Sequence, residues 1–300
     1  AGEKARSIYR APQLQRFDRR VRLRDNVSPE FERSPSMPLA QLIDTAELTA
    51  RLSQPNLCIF DCRFALEDPE YGRRSYEQAH IPGARFLDLE NDLSGSVVRG
   101  QTGRHPLPQP GQLVARLRAA GLNDDSEVVI YDDGPGAFAA RAWWLLAWLG
   151  KRSGVYLLDG GFKAWRDASG PVTGEPANAQ PGQFNGTPDD LLLVSTQQLA
   201  KRLGQPGLTL FDARALPRFL GEQEPIDPVA GHIPGARCVP FTENLDATGC
   251  FLSPEQLRSR FDRHLTDQPA DDLVAYCGSG VTACHNLFAL CLAGYPLAKL

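Results

Sequence analysis

The segment Cys277-Gly278-Ser279-Gly280-Val281-Thr282-Ala283 has the residue types and spacing that carry chemistry. It follows the short apolar run Leu273–Tyr276, which reads as a buried strand, and leads into Thr282–Ala293, which reads as an apolar helix. Glycines let the backbone curl so that successive amide N–H groups point inward. The helix that follows adds the positive end of its dipole. A thiolate in such a loop is stabilised relative to a free one. The expected product is a nucleophilic sulfur in a cradle that also steadies an anionic leaving group or a persulfide. The competing reading of Cys277 is a small buried hydrophobe, which its place at a strand end beside glycine disfavours.

The other cysteines read as structural. Cys284 and Cys291 share one face of the predicted helix, Cys58 lies in a strand and Cys62 just beyond it. Cys238 and Cys250 have no partner at metal-ligand spacing, and no C-x-x-C pair exists. Neither a zinc ribbon nor a dithiol redox motif is supported, and no metal or organic cofactor is expected.

The elements around the loop occur twice. Ile59-Phe60-Asp61 returns as Leu210-Phe211-Asp212, and His80-Ile81-Pro82-Gly83-Ala84-Arg85 returns intact as His232 to Arg237. Val129-Ile130-Tyr131 returns as Val274-Ala275-Tyr276. Two copies of one domain explain this most simply. In each copy short apolar strands (57–60, 128–131 and 156–158; 208–211 and 273–276) alternate with helical patterns (112–120 and 139–149; 255–261 and 282–293). That alternation predicts an α/β fold with two mostly parallel sheets flanked by helices. Ligands of such sheets sit beyond the carboxyl ends of the strands, where Cys277 falls. Alignment of the strand ends puts Asp132 in the matching place, so copy one lacks a thiol there. The expected organisation is a domain without the nucleophile at 37–170, a linker at 171–190 rich in Pro, Gly, Asn and Thr, and a catalytic domain at 191–300.

Composition narrows the class. The 300 residues are 42% hydrophobic and 23% charged, ordinary for a globular chain. The longest apolar run, Ala142–Leu149, is far short of a membrane span. A net charge of −4 gives no reason to expect nucleic-acid or membrane partners. An odd count of seven cysteines in a chain this size points to a reducing, cytoplasmic location. Residues 1–36 differ, with nine Arg/Lys against five Asp/Glu, and read as a basic extension that is flexible or non-native, since the first Met is Met37.

The paired His-Ile-Pro-Gly-Ala-Arg segments, the Asp-Ala-Arg of 212–214 and the 277–282 loop resemble the rhodanese superfamily, specifically its two-domain sulfurtransferases, over about residues 38–300. The loop is similar to that of the 3-mercaptopyruvate sulfurtransferases; thiosulfate-preferring relatives usually carry Arg-Lys where Gly278 and Ser279 stand. A neutral loop suits a monoanionic carboxylate donor, whereas dianionic thiosulfate gains from fixed cations. The resemblance implies that Cys277 takes sulfur from the donor as a persulfide and passes it to an acceptor thiol such as thioredoxin or glutathione, or to cyanide. It implies that Arg218 grips the donor carboxylate and that Gly278, Gly280, Val281 and Thr282 line the substrate. Ser279 and His80 match members of a proton relay whose acidic member falls among Glu67, Asp68 and Glu70. Asp212 matches a structural or active-site aspartate.

Structural readings stand beside these. His80 and His232 recur in both copies although only one has the thiol, which fits a turn-stabilising role. Ser279 and Thr282 are suited to helix capping, and Arg218 to an interdomain ion pair. The chain also departs from the family: where many members have a second arginine after Glu-Pro, this sequence reads Glu224-Pro225-Ile226-Asp227. Family members also continue into a further strand beyond the point matched by Leu300.

Three other readings compete with this one. A cysteine phosphatase needs Cys-x5-Arg, and position 283 is Ala. Thiosulfate:cyanide transfer shares the nucleophile and differs in donor. A persulfide carrier or regulatory module would act on a protein partner without fast small-molecule turnover.

Overall fold

The computed structural model describes residues 38–178, 180–265 and 272–300; the expectation for residues 1–36 lies outside them. The first repeat runs β1 Gln41–Ile43, α1 Thr45–Arg51, β2 Leu57–Asp61, α2 Tyr71–Gln78, β3 Ala84–Phe86, α3 Pro110–Ala119, β4 Glu127–Tyr131, α4 Ala137–Trp148, β5 Val155–Leu158 and α5 Gly161–Asp167. The second runs α6 Thr196–Arg202, β6 Thr209–Asp212, α7 Leu216–Leu220, β7 Arg237–Cys238, α8 Pro254–Leu265, β8 Leu273–Tyr276 and α9 Val281–Leu292.

Both sheets are parallel, in the orders β1-β5-β4-β2-β3 and β7-β6-β8. The smaller sheet repeats one side of the larger one, its edge strand and the next two, β3-β2-β4. Its outer side is continued by single pairings: Lys299 bridges Val274, and Leu300 exchanges backbone bonds with Leu192 and Val194. The register is shared too, since Asp61 lies opposite Tyr131 and Asp212 opposite Tyr276. The strands are continuous apolar runs because helices cover both faces. The expected strands and helices formed within a few residues of their predicted bounds. Those the apolar patterns missed are short. Helix α2 buries only Gly72, and α7 buries only Phe219, with Leu216 and Leu220 exposed.

Among the described residues of 171–189 no helix or strand longer than a single bridge forms, but the segment is strapped to the first repeat. Thr173 pairs with His80, Gly182 N–H donates to Arg118 O, Thr187 N–H to Leu149 O, and Phe184 is buried.

The two repeats meet along α4 and α9, which are apolar nearly all round and buried accordingly. Trp143 of α4 meets Phe288 of α9 edge-on, with ring centroids 5.0 Å apart. At this interface His285 is fully buried. Asn244 Nδ2 lies 3.1 Å from its Nδ1, and its Nε2 lies 2.8 Å from Pro135 O; these partners assign the proton to Nε2. Burial pushes this imidazole down to about 3. The unfolded chain protonates a histidine near pH 6.5 whereas the folded chain resists it, so stability is lost as pH falls below about 6.5. Between pH 7 and pH 5 the unfolding free energy of a His285→Gln variant is expected to fall less than that of the wild type, by on the order of 2 kcal/mol. Urea unfolding at the two pH values measures this, and equal losses would mean that His285 protonates inside the fold.

Candidate active site

Cys277 follows β8 directly and lies one turn before α9, as the loop pattern predicts. Gly280 takes the left-handed conformation (φ 81°) that ends the loop and starts the helix, and Gly136 does the same before α4 (φ 78°). A side chain there would strain the backbone. The curl turns amides toward the sulfur: Gly280 N–H donates to Cys277 Sγ at 3.1 Å and Ser279 N–H at 3.4 Å. The thiol is partly exposed and thus reachable.

Asp132 occupies the equivalent cradle of the first repeat. Its Oδ1 accepts from Gly134 and Gly136 N–H, and its Oδ2 from Phe138 and Ala139 N–H, at 2.9–3.3 Å. Burial raises its pKa while the four amides lower it. The same turn thus collects amide donors in both repeats, around a carboxylate in one and a sulfur in the other.

The loop itself is neutral, but its surroundings are not. Arg104, between β3 and α3, reaches across from the first repeat: a Cβ built at Gly278 would lie 2.8 Å from Arg104 Nη2 and 2.5 Å from Asp227 Oδ2. Arg104 pairs with Asp227, which in turn accepts from Arg218 Nη2 at 2.7 Å. Arg218 also holds Glu224 at 2.7 Å. Arg218 therefore faces the site through two carboxylates, and the repeats are linked by the chain Arg218–Asp227–Arg104. Behind the loop lies Arg141 of α4, fully buried; its Nη2 donates to His105 O at 3.2 Å and Leu93 O at 3.4 Å. A Cβ at Gly280 would sit 3.4 Å from its Nη1. Among the described residues it makes no ion pair. Burial, with Arg141 and Arg104 nearby, pushes His105 down to about 4.

The other expected residues are placed differently. His80 is fully buried and stacked on Tyr76 at 3.8 Å, with Nδ1 2.6 Å from Tyr76 O and Nε2 3.1 Å from Glu175 O. His232 repeats this arrangement: it stacks on Phe219 at 3.7 Å with Nδ1 2.7 Å from Phe219 O. Among the described residues no hydrogen bond joins His80 to Ser279 or Cys277. Asp68 pairs with Arg74 on the surface. The side chain of Ser279 does not cap α9, whose cap is Gly280, and Val281 and Thr282 form the first turn. Asp212 is fully buried and takes a two-pronged bond from Arg214, as Asp61 does from Arg63. Burial pushes Cys284 and Cys291 up to about 12, so neither is a rival nucleophile.

Sequence reasoning missed Arg104 and Arg141. Arg141 had a signal, as the one charge in the apolar helix Ala137–Trp148. Arg104 had almost none, since it stands in a polar Gly/Pro loop with no counterpart in the repeat.

Rhodanese-like domain models match residues 44–168 and 195–299. The chain is 63% identical over 264 residues to a probable 3-mercaptopyruvate sulfurtransferase of Pseudomonas aeruginosa, covering 88% of this chain and 93% of that protein. It is 35% identical over 249 residues to a thiosulfate sulfurtransferase of Cricetulus griseus, covering 81% of each. The solved 3-mercaptopyruvate sulfurtransferase of Leishmania major superposes with a TM-score of 0.77 at 29% identity, over 89% of this chain and 74% of that one. With both halves matched by the family and full-length relatives on either side of the donor divide, the chain belongs to the rhodanese-like family, as a tandem two-domain sulfurtransferase.

Proposed function

We propose that the protein transfers sulfur from 3-mercaptopyruvate through a persulfide on Cys277, to a thiol such as thioredoxin or glutathione, or to cyanide. The observation that carries this is the sulfur itself, partly exposed and receiving the Ser279 and Gly280 N–H groups in a loop that holds no charged side chain. The Cys277 thiolate attacks the donor's sulfur. The donor C–S bond breaks, its electron pair passes to the enolate of pyruvate, and that carbon takes up a proton. The outer sulfur stays on Cys277, where the inward amides steady the charge that develops. An acceptor thiolate or cyanide then attacks the outer sulfur and frees the Cys277 thiolate. Ser279 lies beside the sulfur through its N–H, and Gly278, Gly280, Val281 and Thr282 shape the backbone around it. Asp212 holds Arg214 and the end of β6 in place, and His80 braces the turn before β3; neither touches the reacting atoms.

Thiosulfate is the second donor reading, favoured by one observation. Arg104 puts a cation beside Gly278 that the neutral loop did not foretell, and a dianion gains more from it. Transfer to cyanide from the two donors separates them. Mercaptopyruvate is expected to lead in kcat/KM by at least about tenfold, the value of one charge-assisted contact. A thiosulfate lead would reverse the assignment. Absence of Cys277-dependent transfer from either would indicate a persulfide carrier acting on a protein partner. A cytoplasmic site of action fits the seven free thiols, and no helix among the described residues is long and apolar enough to cross a membrane.

A further inference from the structure

Two guanidinium groups from different repeats converge on one carboxylate directly over the loop that follows Cys277. Arg104 Nη1 bonds one oxygen of Asp227, and Arg218 Nη2 bonds the other at 2.7 Å. That carboxylate lies where a Cβ on Gly278 would come within 2.5 Å of it, so glycine at 278 leaves it room. Asp227 is the one acid with which Arg104 pairs among the described residues, and Arg104 Nε is buried without a partner. The clamp is therefore not saturated by its present occupant. The occupant comes from a surface loop of the second repeat. Asp227 sits between α7 and β7 on a loop whose Ile226 and Val229 are exposed, anchored by its own N–H to Glu224 Oε1 at 2.9 Å. Arg104, Arg218 and Asp227 are each partly open to solvent, as a site that admits a small molecule must be.

We propose that Arg104 and Arg218 form a two-guanidinium clamp for the carboxylate of the sulfur donor, and that Asp227 fills this clamp until a donor displaces it. The inference rests on the donor reading above and on the carboxylate role that the resemblance gives Arg218; what it adds is Arg104, from the other repeat, and the displaced Asp227. In a 2-keto-3-thio acid the carboxylate is three bonds from the sulfur, and the clamp lies against the residue next to the nucleophile. Each guanidinium gives a carboxylate oxygen one charge-assisted hydrogen bond, the stronger kind. The repeat that has Asp132 in place of the loop cysteine thus has a part in substrate recognition.

Alkylation of Cys277 by iodoacetate and by iodoacetamide tests this without sulfur transfer. In both reactions the thiolate displaces iodide and leaves a thioether; only iodoacetate brings a carboxylate. The thiolate fraction enters both rates equally, so their ratio reads the subsite alone. Arg104→Gln is expected to lower the iodoacetate/iodoacetamide ratio about tenfold, with Arg104→Lys between it and the wild type. Asp227→Asn is expected to raise the ratio about tenfold, because the competing carboxylate is gone. A merely structural bridge would move both rates together and leave the ratio unchanged in both variants, which overturns the proposal. Should Arg104→Gln fail to fold, Asp227→Asn decides on its own. The donor assay is read separately. Mercaptopyruvate turnover with an unmoved ratio would sink the clamp and keep the donor. A shifted ratio without mercaptopyruvate turnover would keep the clamp as a carboxylate site and sink the donor.

Discussion

Cys277→Ser is expected to lose sulfur transfer by at least about four orders of magnitude while unfolding at nearly the wild-type urea concentration. A serine hydroxyl cannot store sulfane sulfur, and the two thiols of the adjoining helix do not replace the lost one, since burial holds Cys284 and Cys291 near 12. The fold has little stake in the sulfur. It accepts two N–H groups at 3.1 and 3.4 Å in a partly exposed loop, and a serine oxygen or water can take them over. Transfer to cyanide, measured beside urea unfolding, gives both numbers. Residual transfer above about one part in a thousand would move the nucleophile elsewhere.

The same turn in the first repeat should behave in the opposite way. Asp132→Ala removes the acceptor of four amides, of which those of Gly136 and Ala139 are buried, and among the described residues no other acceptor bonds them. A buried donor left unpaired costs about 1–3 kcal/mol, so a loss on the order of 3 kcal/mol is expected. Urea unfolding measures it. A change within about 0.5 kcal/mol, that of an ordinary surface substitution, would show that water enters and pairs those amides. One turn geometry therefore serves chemistry in the second repeat and stability in the first.

The parts legible in the sequence are those written locally. Strand β8, the Cys277 loop and α9 follow one another along the chain, so periodicity and glycine placement suffice to predict them. The recurrence of Asp-x-Arg and His-Ile-Pro-Gly made the tandem fold readable, and Asp132 opposite Cys277 followed from strand-end alignment. The strand–helix pattern was blind to α2 and α7, which bury almost nothing and leave no apolar stripe. Arg104 stayed hidden because its meaning depends on a contact across more than a hundred residues of chain, to Asp227. The loop's neutrality was read correctly, but the cations of this site come from α7 and from the other repeat. The absent arginine after Glu224-Pro225 looked like a missing contact; the structure puts Arg104 beside the same loop.

The placement of Arg104 also bears on the order in which the molecule is made. Domains tend to fold as units, N-terminal first, during synthesis. The repeat carrying Arg104, Arg141 and α4 is complete before the ribosome has translated codon 277. On the proposed assignment the reactive sulfur thus emerges into the presence of a finished wall, with the guanidinium beside its loop and the apolar helix on which α9 packs already in place. A gene with the two halves in reverse order would expose the nucleophile, bare, for the whole interval in which its partner is being built.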